Sequence, residues 1–152
     1  MRIKRWLAIS VVTVCLMPAI IFAQESGTGI GFILGEPTGI NLKLWTGNKT
    51  ALVAAAAWSF EGKESIHFHL DYLYHQFEAI PLEKGFLPFY YGVGIRVKNG
   101  RQERLGVRLP LGLNYHFKKV PLDIFAEVVP VFDLIPGTDL HFNGGVGFRY
   151  FF

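Results

Sequence analysis

The chain has 152 residues, 51% of them hydrophobic, with 15 Lys plus Arg against 12 Asp plus Glu and a single cysteine. Arg2, Lys4, Arg5 and Cys15 all lie within the first 23 positions, so the remaining 129 residues carry 12 basic against 12 acidic groups and no thiol. That balance removes the basic surface a nucleic-acid partner needs, and the missing thiols exclude a disulfide framework or a paired-cysteine metal site.

Residues 1–23 read as a secretory signal peptide. Arg2, Lys4 and Arg5 make a basic start, an apolar run follows from Trp6 to Phe22, and small Ala23 precedes Gln24 and Glu25. The run is slightly short for a spanning helix, which needs about 20 apolar residues. The expected mature domain is therefore 24–152, a single unit held by its core or by a membrane.

Eight strands are expected in that domain, at 28–34, 38–45, 50–60, 65–77, 86–98, 102–117, 122–133 and 139–152. The breaks between them are turn-forming: "GEP" at 35–37, "GNK" at 47–49, "EGKE" at 61–64, "NGR" at 99–101, "KKVP" at 118–121 and "IPGT" at 135–138. The connection "EAIPLEKG" at 78–85 is the longest, and the first two strands are short for a bilayer crossing. Pro110 and Pro130 fall inside expected strands, where each removes a ladder hydrogen bond.

The residues that alternate carry the fold class. Leu105, Val107, Leu109, Leu111, Leu113, Tyr115 and Phe117 share one face of a strand; Arg104, Gly106, Arg108, Pro110, Gly112, Asn114 and His116 share the other. Ile66, Phe68, Leu70, Tyr72 and Tyr74 are likewise set against His67, His69, Asp71, Leu73 and His75. A soluble barrel puts its apolar face inward, and its water-facing side would then be rich in glycine without benefit. A narrow membrane barrel reverses the sense: apolar residues meet lipid, and polar side chains fill the lumen with glycine where space is tight. The pattern predicts an all-β fold, an eight-stranded antiparallel up-and-down transmembrane β-barrel with a polar, side-chain-filled lumen.

The inward parity collects Lys43, Asp71, Arg96, Lys98, Arg104, Arg108, Asp123, Glu127, Asp133 and Arg149, which must pair to survive burial. It also collects all five histidines: His67, His69, His75, His116 and His141. His67, His69 and Asp71 could hold a metal, but polar filling of a wet lumen explains them as well, and no metal, cofactor or catalytic residue is expected. With eight strands both termini lie at one end, expected to be periplasmic. The chain finishes on outward Phe148, Tyr150 and Phe152.

Those last residues resemble the C-terminal assembly signal of bacterial outer-membrane barrels. The stretches "GEPTGINLKLW" (35–45), "LPFYYGVGIRVK" (87–98), "GVRLPLGLNYHF" (106–117), "PLDIFAEVVPVFDL" (121–134) and "FNGGVGFRYFF" (142–152) extend the likeness over nearly all of 28–152. The mature chain is similar to small eight-stranded barrels related to the OmpA transmembrane domain, and among them to compact members without an agreed biochemical role. The resemblance implies an integral outer-membrane protein. Its partners would be outer-membrane lipid and the barrel assembly machinery, with no nucleic acid and no identified ligand. A non-enzymatic structural or loop-mediated role is expected first. The alternatives are a narrow anion-favouring channel, a lipid-modifying enzyme, which would need a histidine on the lipid-facing parity, and a soluble barrel of opposite parity. The intact mass of the exported protein should correspond to a chain starting at Gln24; a mass retaining residues 1–23 would overturn the cleavage.

Overall fold

Period-two alternation puts every second side chain on one face, so each segment can bury one face only by pairing edge to edge with its neighbours. The computed structural model describes residues 27–59, 65–78, 80–83 and 85–152; the expected signal peptide lies outside them. The strands are β1 (Thr28–Glu36), β2 (Thr38–Trp45), β3 (Thr50–Ser59), β4 (Ser65–Gln76), β5 (Pro81–Leu82), β6 (Gly85–Phe86), β7 (Phe89–Asn99), β8 (Arg104–Arg108), β9 (Leu111–Phe117), β10 (Leu122–Ile135) and β11 (Asp139–Phe151). All pairings are antiparallel, and β11 pairs with both β10 and β1, so the sheet returns on itself as a ring.

Four of these strands are two interrupted staves. β6 and β7 meet β9 in one unbroken register: Gly85↔Phe117 and Phe86↔His116, then Phe89↔Leu113. Between them the Pro88 carbonyl accepts the Asn114 amide at 3.0 Å. β8 and β9 keep one register against β10, from Val131↔Arg108 to Val128↔Leu111. Across that gap the Gly92 amide donates to Pro110 O and the Leu109 amide to Pro130 O, both at 3.0 Å. The ring therefore has eight staves.

Each proline accepts its ladder bond but has no N–H to return one. Pro88, Pro110 and Pro130 together withhold three bonds, and all three fall on the two seams flanking the β8–β9 stave. Of the prolines that the sequence puts within strands, Pro130 does lie inside one, unbroken β10, while Pro110, like Pro88, falls in a gap across which the register runs on without a bulge.

Other boundaries also shift. The 78–85 connection holds the small β5–β6 hairpin, which prolongs the ring at the end bearing the termini. β1 and β10 each run two residues further than expected, to Glu36 and Ile135.

The register fixes the tilt. Stepping along paired residues from Gly29 leads through Lys43, Val53, Asp71, Gly94, Arg108 and Val131 to His141. Gly29 itself pairs with Phe151, ten residues from His141, so the ladder climbs ten residues per circuit. Eight staves with such a shear tilt by about 40° and enclose a space just wide enough for side chains.

Close approach inside that space explains one glycine well. A Cβ at Gly94 would collide with the Asp71 carboxylate. In amide hydrogen exchange, Gly92 and Leu109 should be protected as strongly as their strand neighbours. Fast exchange at either would mean that the staves are truly broken at the prolines.

Candidate functional site

The ring is inverted relative to a water-soluble protein. Its largest fully buried side chains include Arg96, Arg108, Arg149 and Lys43, each at most 2% exposed. Outward residues are half exposed along every stave, from Phe32 at 49% and Phe68 at 53% to Val128 at 55% and Val146 at 57%. The interior charges sort into three layers along the axis.

At the end bearing the termini, Arg149 Nε donates to Asp123 Oδ1 at 2.9 Å, and its guanidinium lies 4.1 Å from the centre of the Phe125 ring. Among the described residues Lys43 finds no carboxylate. Its Nζ lies 2.8 Å from His75 Nε2, donates to Asn114 Oδ1 at 3.2 Å and sits 4.2 Å from the centre of the Trp45 ring. Trp45, His75, Phe77 and His116 pack their rings together with centroids 4.6 to 6.2 Å apart. This aromatic seal fills the ring where the chain enters and leaves it.

In the middle layer Arg108 Nε donates to Asp71 Oδ1 at 2.9 Å, while Arg108 Nη2 lies 3.7 Å from Glu127 Oε1. Tyr90 Oη donates to Glu127 Oε2 at 2.8 Å, and His69 Nε2 lies 3.7 Å from Asp71 Oδ2. A gap bordered by Asn41, His69, Asp71, Glu127 and Arg149 measures about 10 Å³, room for about one water.

At the far end Arg96 Nη2 donates to Asp133 Oδ1 at 2.5 Å and lies 2.6 Å from His141 Nε2. Arg104 Nη1 donates to Asp133 Oδ2 at 3.2 Å and reaches Asp139 at 3.8 Å. Arg104 and His141 are partly exposed, so this end is a wet mouth. Lys98 lies half-buried on β7 beside it. His67 pairs with Ser65 at 3.2 Å, and the Ser59 hydroxyl donates to Glu36.

All ten charged positions and all five histidines singled out by parity thus face the interior. His67, His69 and Asp71 do not converge: His67 turns to Ser65 and His69 to Asp71. No group of three metal-ligating side chains assembles among the described residues. Sequence reasoning expected the inward charges to pair with one another and missed that Lys43 rests on an imidazole, an amide and an indole. It placed Asn114 inside by parity without a role; Asn114 and Tyr90 both prove to be partners of buried charges. Phe148, Tyr150 and Phe152 face outward, at 46%, 41% and 49% exposure.

No family model matches the chain, and no curated relative matches it. Among solved structures it is similar to the N-terminal β-barrel domain of Pseudomonas aeruginosa OprF. That likeness has a TM-score of 0.61 at 16% identity and covers 86% of this chain and 99% of that one. At this identity the likeness shows the fold, an antiparallel up-and-down barrel.

Removing one member of a buried pair leaves the other charged and unpartnered, which typically costs about 3–5 kcal/mol. Arg149→Met should therefore destabilise the folded ring by that order in urea titrations read by gel mobility, and adding Asp123→Asn should recover part of the loss. Equal stability of R149M and wild type would show that the pair is not formed.

Proposed function

We propose that this chain is a non-enzymatic, integral outer-membrane barrel whose lumen is plugged by its own side chains, and that it acts structurally or through its far-end turns. One observation carries the reading: the ring buries ion pairs and exposes a continuous apolar wall. Water would penalise that wall, whereas hydrocarbon requires it. Up to the level of Glu36 and Gly144, where β1 and β11 are paired, the closed ring also satisfies the rule that backbone groups in lipid must be bonded internally.

On this reading the end bearing the termini is periplasmic, the wall is covered by outer-membrane lipid, and Phe148, Tyr150 and Phe152 are the features the assembly machinery reads. A narrow anion-favouring channel has less support, because paired charged side chains fill the middle layer and the gap between them holds about one water. A lipid-modifying enzyme has less support as well, since all five histidines point inward, away from the lipid-facing wall.

Refolded protein that shows a heat-dependent gel shift should be silent in a planar bilayer. Discrete anion-selective steps would overturn the plug in favour of the channel. Absence of any heat-dependent shift would overturn the membrane barrel itself.

A further inference from the structure

The outer wall is not of even height. β10 presents outward residues at alternate positions from Leu122 to Leu134, thirteen residues of strand. β2 presents only Ile40, Leu42 and Leu44, and β1 only Ile30, Phe32 and Leu34. At the tilt set by the shear a residue rises about 2.5 Å along the axis. The apolar wall is then roughly 30 Å tall at β10 and roughly 10 Å tall at β1–β2, against a usual band of about 25 Å.

The deficit lies at the far end. Glu36, the last residue of β1, pairs with Gly144, and β11 runs on to Asp139 with β10 on one side. Among the described residues no strand pairs with its other edge there. Above that level Leu140 and Phe142 are 51% and 66% exposed. An unpaired strand edge cannot stand in hydrocarbon, because its amides and carbonyls would lack partners; it has to be wet. Headgroups and water must therefore come down to the β1–β2 turn on this side only.

The wall below the notch is also hollow. Outward Ala54 and Ala56, between Leu42 and Phe68, floor an open groove of about 580 Å³. Its lining is almost wholly apolar and gives a displaced acyl chain a recess.

We propose that the β1–β2 wall thins the bilayer locally, drawing the outer leaflet down to the Glu36–Thr38 turn, with lipid acyl chains seated in the groove over Ala54 and Ala56. The inference rests on the membrane-barrel reading. Short strands beside long ones make a one-sided hydrophobic mismatch, and a bilayer meets a short wall by thinning.

Two outward positions test it. Leu34 pairs through Val146 with Ala126, and the tilt brings Val128 level with Leu34. The chain after residue 23 has no cysteine, so Leu34→Cys and Val128→Cys each accept one spin label. In phosphatidylcholine vesicles, accessibility to oxygen and to a polar nickel chelate reports depth. The Leu34 label should lie at the headgroups and the Val128 label about 10 Å deeper. Equal depths would overturn the proposal. Exclusion of both probes at Leu34 would also overturn it, pointing to a second copy on this wall. A Val128 label outside hydrocarbon would instead defeat the membrane reading beneath it.

Unlabelled protein gives a second measurement if a variant fails to fold. Trp58 faces outward at the head of the short wall, paired with Thr38, whereas Trp45 is interior. Bromine near the carboxyl end of the acyl chain should quench Trp58 best; best quenching by mid-chain bromine would refute the thinning.

Discussion

A ring of eight staves with a ten-residue shear leaves an interior that side chains fill and bulk water does not. Every charge placed there has to meet its partner across that narrow space, and most other features follow. Arginine dominates the cations because its planar fork can hold two acceptors at once, as Arg108 spans Asp71 and Glu127. Glycine recurs on the inward parity because the carboxylates and guanidiniums need the volume a Cβ would take, as at Gly94 against Asp71. The apolar wall is the complement of this arrangement: a chain that spends its polar residues inside has only hydrophobic ones to show outside.

The layers differ in how completely they satisfy that demand. The middle and far layers pair arginine with carboxylate. The layer near the termini pairs Arg149 with Asp123 and leaves Lys43 among His75, Asn114 and Trp45. The ammonium is stabilised there by an imidazole lone pair, a carbonyl and a π face, all neutral. Neutral partners leave that layer with an excess positive charge, and the middle layer, with Asp71 and Glu127 around Arg108, has an excess negative one. The six inward cations and four inward anions are thus unevenly divided among the layers.

Period two was enough to place the charged residues and histidines inside and the apolar residues of the opposite parity outside, because a one-residue slip would reverse every side chain at once. It was also enough for the number of staves. What it could not supply was pairing across the ring. Nothing local to Lys43 marks His75, 32 positions away, as its neighbour. Tyr90 and Asn114 lay on the right face, but their roles depend on which strand stands opposite at that height. The strand ends at Glu36 and Ile135 escaped for a related reason: a stave stops where its partner stops, and the partner is chosen by shear. The shortness of the first two strands was legible from the start; its meaning emerged only when β11 was seen to rise alone beside them.

The three prolines carry a mechanical consequence. The two seams of the β8–β9 stave together lack three ladder hydrogen bonds, and Pro130 puts a rigid ring on the outer surface beside one of them. A closed ring under lateral pressure deforms where its cross-links are sparsest. Below the level where β11 stands alone, this stave is therefore a compliant side of the cylinder, a place where its cross-section can flatten or widen without parting a full ladder.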